Sequence, residues 1–266
     1  MVKGELIQFG FDPSKVVIKP EAWKFGSNIP LTPINRTGQY DESLPIYEPQ
    51  AEKYETWGCT VWGSQNQTEI TIKVIFGFEP NYYEGYNYNL AAIMPPGSNP
   101  DDVYESIRKY GLIKQRPMPD TYEEFCKPRP VTQEMIDEGK KWLEEYDFYH
   151  EWIIPSNPAK MKELIVSVLP YSAGVGLSVT AWFEDENGLY IDKGLPNTHW
   201  CVCYGYRYDE QGRIILKIFD SYDHSKKELH PDHNVMFAKR IHIAKKTQQT
   251  KLTWWQKFIN WLNNLI

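Results

Sequence analysis

The spacing of apolar residues predicts helices in the first half of the chain and strands in the second. Helix-start signals coincide at Asn99, where a capping side chain precedes proline and two acids. A second helix is predicted from about Thr132, with Tyr146 on its apolar face. A third lies between Asn157 and Pro170.

After residue 170 the apolar period changes from 3.6 to 2, which is typical of strands. Apolar residues alternate with small or polar ones over residues 175–181, and two further strands, His199–Tyr208 and Arg213–Phe219, flank a turn. Helices followed by strands predict an α+β domain, with the two parts meeting in a cleft.

Both ends of the chain differ from this central part. The first 44 residues are rich in Pro, Gly and Asn and are predicted to be an arm that wraps the domain or acts like a prosegment. Residues 246–266 are predicted to be a polar linker and an amphipathic helix. Packing on its own domain and docking on a partner protein through residues 252–266 both remain open for this helix, with binding to a membrane surface a weaker alternative.

Composition narrows the class of protein. The chain has 266 residues, 41% hydrophobic and 24% charged, which is ordinary for a globular protein. A formal net charge of −6 argues against a nucleic-acid partner, and the pairs 226–227 and 245–246 of lysines are expected to be solvated. We see no signal peptide and no apolar run long enough to span a membrane, so we expect a cytosolic or particle-associated protein.

The candidate chemistry begins with a thiol. Cys59 follows Gly58 at a predicted helix start, where the helix dipole favours thiolate. His199 opens a strand and Asp220 ends the next, so a nucleophile, a base and an orienting group occur in the order that thiol catalysis uses.

The remaining cysteines and histidines have structural explanations. Cys201 and Cys203 lie two apart on one strand and are expected to be buried thiols without a mutual disulfide. His224, His230 and His233 have a spacing that fits no common zinc pattern. We therefore expect no metal and no cofactor.

Over roughly residues 45–243 the chain resembles papain-like cysteine peptidases, in particular divergent members encoded by tailed bacteriophages. The resemblance implies a peptidase domain over residues 45–245. It also implies a protein of the host cytoplasm or of a virion, on which residues 252–266 could dock. The resemblance lies in ETWGCTVWGSQNQTE around Cys59, in the apolar strand after His199 and in the Asp220-Ser221-Tyr222 segment, where the family has Asn-Ser-Trp. It implies a helical N-terminal lobe and an antiparallel sheet or barrel as the C-terminal lobe. It also asks for a helix from about Gly58, although residues 70–76 alternate like a strand, and we predict helix through about residue 72.

The resemblance also implies roles for individual residues. Cys59 would be the nucleophile, His199 the base, Asp220 the group that orients it, and Gln50 an oxyanion donor. The substrate, an extended polypeptide, would lie along four further residues: Gly97, Ser98, Thr198 and Tyr222. Two alternatives to a peptidase remain open: a catalytically idle structural or cargo protein of a phage particle, and a peptidoglycan amidase or endopeptidase.

Overall fold

The structure, a computed structural model, describes residues 10–27, 31–126, 131–180, 182–223 and 226–246. Its helices are α1 (Cys59–Phe76), α2 (Glu84–Leu90), α3 (Pro100–Tyr110), α4 (Tyr122–Cys126), α5 (Gln133–Glu145) and α6 (Met161–Val168). Its strands are β1 (Gly10–Phe11), β2 (Gly97–Ser98), β3 (Tyr146–Ile153), β4 (Val175–Val179), β5 (Phe183–Glu184), β6 (Tyr190–Ile191), β7 (His199–Tyr208), β8 (Ile214–Phe219), β9 (Lys226–Leu229) and β10 (Ala238–Lys245).

Eight strands form one sheet in the order β3-β10-β4-β7-β8-β9-β6-β5. Its pairings are antiparallel except for a single parallel bridge between β6 and β9. The predicted α+β class is confirmed, and the sheet stays open within the described residues rather than closing into a barrel. β1 and β2 form a separate, parallel pair far from each other in sequence.

Helix α1 is the centre of the molecule, and every residue from 59 to 72 is buried. Three of its hydroxyl side chains are satisfied inside the helix, since Ser64, Thr68 and Thr71 each donate to the carbonyl four residues earlier, and Thr60 pairs with the Ser98 hydroxyl. Gln67 donates to the Gly174 and Lys239 carbonyls and so ties the helix to the sheet. The helix prediction for this segment is therefore correct, and the helix continues to Phe76, beyond residue 72.

The capped helices follow the sequence signals closely. Asn99 accepts a hydrogen bond from the Asp101 N–H at the start of α3, and Thr132 accepts one from Met135 at the start of α5. One boundary was predicted wrongly: Tyr146 is the first residue of β3 rather than part of the preceding helix. Strand pairing explains this, because β3 pairs with β10 along eight residues and begins with Tyr146 opposite Lys245.

The hairpin of β7 and β8 agrees with its prediction. Asp209 accepts hydrogen bonds from the Gln211 and Arg213 N–H groups, and Gly212 adopts a φ of 74° in the turn. Among the described residues, no helix is long and apolar enough to cross a membrane. The predicted C-terminal helix, residues 252–266, lies outside the described residues.

Candidate active site

His199 and Asp220 form a buried pair at one end of the β7–β8 hairpin. His199 opens β7, Asp220 follows β8 directly, and both side chains are fully buried. The His199 Nε2 lies 2.6 Å from Asp220 Oδ1, which also accepts the Tyr222 N–H at 2.9 Å. The two residues that the sequence analysis singled out on neighbouring strands are thus in direct contact.

Lys227 joins this pair from β9, contrary to the expectation that it is solvated. Its side chain is fully buried, and Nζ lies 2.6 Å from Asp220 Oδ2, with a second contact to Asp223. Burial alone would raise the pKa of Asp220, but His199 and Lys227 hold it well below its usual value. Burial would lower the pKa of Lys227, but Asp220 and Asp223 keep it above its usual value, so both groups are charged.

Cys59 is the first residue of α1 and is fully buried, with Gly58 at the N-cap position. Gly58 leaves room for the Trp62 ring, because a Cβ there would lie 2.5 Å from Trp62 Cζ3. Burial raises the pKa of the Cys59 thiol well above its usual value, although backbone hydrogen bonds from Trp200 and Thr60 act in the opposite direction. The Trp200 contact brings this thiol to the residue that directly follows His199.

Gln50 is tied to both halves of the site. Its side-chain oxygen accepts the Ser221 hydroxyl at 3.1 Å, and its backbone N–H donates to the Ser221 carbonyl at 2.8 Å. The Thr56 hydroxyl donates to the Gln50 carbonyl and accepts the Gly58 N–H. Gln50 is therefore anchored between the segment after β8 and the turn that leads to Cys59.

The predicted substrate strip, Gly97 and Ser98, is paired with the chain's own residues 10–12, which we call the arm segment. Gly10 lies opposite Gly97 and Phe11 opposite Ser98, and the Asp12 N–H donates to the Ser98 carbonyl at 3.3 Å. The close approach requires glycine, because a Cβ on Gly97 would lie 2.6 Å from the Gly10 carbonyl carbon.

The arm segment also reaches the other side of the site. The Phe11 N–H donates to the Thr198 carbonyl at 3.3 Å, and the Phe11 ring, 1% exposed, packs near Trp200 and Phe237. Gly10 has a φ of 102°, and a Cβ there would overlap the Trp57 carbonyl oxygen at 2.0 Å. Three of the four predicted substrate-binding residues thus contact the arm segment.

Tyr222, the fourth, lies beside the histidine. Its ring centroid is 6.2 Å from that of His199, and its hydroxyl bonds to Glu55. Trp182, which the sequence analysis did not identify, lies closer, with its ring centroid 5.0 Å from His199 and 4.9 Å from the Lys227 Nζ. No local motif marks Trp182, because it is distant in sequence from the residues it covers.

Metal binding is not favoured at this site. His199, Cys201 and Asp220 bring ligand atoms within 4.8 Å of one another, the one such group in the described part of the chain. However, Asp220 already binds His199 and Lys227, and a buried ammonium opposes a second cation. His230 and His233 make separate contacts, to the Asp232 and Thr180 backbones, and His224 lies outside the described residues.

Comparison by sequence gives no relative: no model of a known protein family matches the chain, and no curated protein sequence matches it. Comparison by structure is different, since 155 chains of solved structures match.

The structural matches include papain-like cysteine proteases. Digestive procathepsin L 3 of Tenebrio molitor larval midgut matches with a TM-score of 0.60 at 12% identity, over 88% of this chain and 76% of that one. The protease and lectin-like domains of Cwp84 from Clostridium difficile match with a TM-score of 0.63 at 11% identity, over 91% and 57%. A stem bromelain precursor matches with a TM-score of 0.53 at 13% identity, over 91% and 78%. At these identities the likeness establishes the fold, which is papain-like.

Proposed function

We propose that this protein is a papain-like cysteine peptidase, with Cys59 as nucleophile and His199 as base. The observation that carries the proposal is the buried contact of 2.6 Å between His199 Nε2 and Asp220 Oδ1, together with a thiol at the start of a buried helix that hydrogen-bonds to the backbone of Trp200, the residue after His199. Because Asp220 engages Nε2, the other ring nitrogen, Nδ1, is the one that exchanges a proton with Cys59.

In the proposed reaction the Cys59 thiolate attacks a peptide carbonyl and forms a tetrahedral intermediate. The Gln50 amide and the Cys59 backbone N–H stabilise the oxyanion. His199 then protonates the leaving amine, and water hydrolyses the resulting acyl-enzyme with His199 as base. The substrate is an extended polypeptide, which suits a strip of backbone groups at residues 97–98 and the Thr198 carbonyl.

The proposed enzyme is latent in the conformation described. The arm segment uses the same backbone groups that a substrate would use, and the buried thiol has a raised pKa. Several structural neighbours are themselves precursor forms, including the procathepsin and the bromelain precursor. Encoding by a phage and association with a virion stay predictions from the sequence resemblance.

A Gly10→Val variant tests this function without altering the strip or the catalytic residues. A β-branched side chain at Gly10 meets the Trp57 carbonyl, so it displaces the arm segment. We expect this variant to hydrolyse casein faster than wild type, and Gly10→Val/Cys59→Ala to be inactive. Gly26→Ala is the matched control, because Gly26 also has positive φ but nothing lies within 4 Å of its Cβ position.

The other functions give different results in the same assay. Clearance of peptidoglycan but not of casein would identify a cell-wall hydrolase. Absence of hydrolysis on both substrates, with Cys59 accessible to a thiol reagent, would identify a catalytically idle protein and refute the proposal.

A further inference from the structure

The environment of Asp220 contains a charge that thiol catalysis by Cys59 and His199 does not itself require. The two carboxylate oxygens of Asp220 have different partners. Oδ1 contacts His199 and accepts the Tyr222 N–H, and Oδ2 contacts Lys227. The side chains of Asp220, Lys227 and His199 are all fully buried. A buried lysine costs free energy unless it is paired, so its position at this carboxylate needs an explanation.

Lys227 is held in place from several directions. Its ammonium lies 4.9 Å from the Trp182 ring centroid and 4.8 Å from that of Tyr190, and it contacts Asp223 as well as Asp220. It reaches Asp220 from β9, which pairs with β8 through four residue pairs, Phe219 opposite Lys226 among them. The strand register therefore fixes the lysine against the carboxylate.

The balance between the charges of Asp220 and Lys227 matters because both side chains are buried away from water. Within a buried site an uncompensated carboxylate would hold the imidazolium strongly in its protonated form. The ammonium offsets that charge, while the hydrogen bond from His199 to Asp220 is kept. Among the residues that the structure describes, the other titratable groups near the pair are Cys59 on α1, Cys201 on β7, Tyr190 on β6, and Tyr47, Glu55, Tyr222 and Asp223 in loops.

We infer that Lys227 is a positioning residue, which fixes the carboxylate of Asp220 and cancels its charge, so that the buried pair orients His199 as a neutral group would. The inference rests on the proposed function for its catalytic consequence, but not for its electrostatic part. It predicts that removal of either charge alone shifts the midpoint of the His199 titration, in opposite directions for the two charges. Removal of both charges should return the midpoint to its parent position.

The test uses NMR titration of the His199 imidazole in ¹⁵N-histidine-labelled full-length protein, in a Cys59→Ala background that removes the thiol. In Asp220→Asn, Lys227 keeps only the partly exposed Asp223 as its partner, and His199 loses the carboxylate that favours imidazolium, so the midpoint of the His199 titration should fall by about one pH unit or more. In Lys227→Met the unbalanced aspartate should move it up by a similar amount. In Asp220→Asn/Lys227→Met it should return to within about half a unit of the parent.

Lys226→Met is the matched control, because Lys226 is the exposed neighbour on the same strand and should leave the midpoint unchanged. If Lys227→Met fails to fold, Asp220→Asn and the double variant still differ in Lys227 alone. Equal midpoints in those two variants would overturn the inference. A purely structural lysine would lower thermal stability in its variant without moving the midpoint.

The same variants with Cys59 intact connect the ion pair to turnover. In the Gly10→Val background, the basic limb of the pH–rate profile should move to lower pH in Asp220→Asn and return in the double variant. Midpoints that shift as expected in proteins without hydrolytic activity would refute the peptidase function and leave the charge balance standing. Unchanged midpoints in an active enzyme would refute the charge balance alone.

Discussion

The arm segment should control access to Cys59, and Phe11→Ala measures how strongly it does so. Phe11 is 1% exposed and packs with its ring centroid 5.6 Å from Trp200 and 6.0 Å from Phe237. Truncation of a buried Phe to Ala costs about 3–5 kcal/mol. The lost contacts belong to the arm segment, so the loss destabilises its docked state.

This free energy translates into a population. At about 1.4 kcal/mol for each factor of ten, the undocked fraction should rise roughly 100- to 4,000-fold. When opening and closing are fast relative to modification, the labelling rate follows the open population. Iodoacetamide should therefore modify Cys59 at least roughly 100-fold faster in Phe11→Ala than in wild type.

Peptide mapping after brief labelling separates local opening from unfolding. Cys203 is buried in β7 and is paired on both sides, with β4 and with β8, so it reports unfolding of the sheet. Labelling of Cys59 without Cys203 indicates undocking. Val17→Ala serves as the control, because Val17 lies in the same arm but is 64% exposed.

Two results would refute the argument. An unchanged rate at Cys59 in Phe11→Ala would mean that the arm segment does not cover the thiol. A parallel rise at Cys59 and Cys203 would mean that Phe11 stabilises the whole fold rather than a separable latch.

Two further predictions concern buried charge. Burial, and the nearby charges of Glu48 and Glu69, raise the pKa of Glu84, so the fold loses stability as the pH rises above the pKa of an unfolded carboxyl group. The free energy of unfolding in urea should therefore be about 1–2 kcal/mol higher for Glu84→Gln than for wild type at pH 7, and unchanged below about pH 4. The control is Glu123→Gln, at an exposed position, which should not show this gain. Arg240→Met removes the guanidinium that neutralises the buried carboxylate of Glu151 and should cost about 3–5 kcal/mol in the same measurement, and a loss under about 1 kcal/mol would contradict this.

The sequence was sufficient for the parts of the fold that have local signals. The caps at Asn99 and Thr132 and the turn at Asp209 rest on hydrogen bonds within a few residues, and the structure contains them. The sequence predicts a helical Tyr146, because its spacing from neighbouring apolar residues fits the helical period of 3.6 as well as the strand period of 2. Pairing with Lys245 of β10 decides its conformation, and that partner lies about 100 residues away in the chain.

The residues of the candidate site also differ in whether a local sequence signal predicts them. His199 and Asp220 could be proposed from their places at strand ends, because β7 and β8 are neighbours in a short hairpin. Lys227 could not, since a lysine next to another lysine is usually solvated and only tertiary packing buries it. Trp182 was missed for a similar reason, as its contact with His199 depends on a loop whose path no residue pattern indicates.

The charges of the site and the position of the arm segment together indicate that activation requires movement of the arm segment and little change in the base and its supports. Asp220 and Lys227 are already ionised and paired in the covered state, and Asp220 already holds His199 Nε2. Two features oppose catalysis in this state: the arm segment occupies the backbone groups of Gly97, Ser98 and Thr198, and burial raises the pKa of Cys59. Undocking of residues 10–12 would free the strip and admit water to Cys59 without moving the base or its supports. Under the proposed function, latency therefore resides in the docked arm segment, while the base and its supports are assembled beforehand.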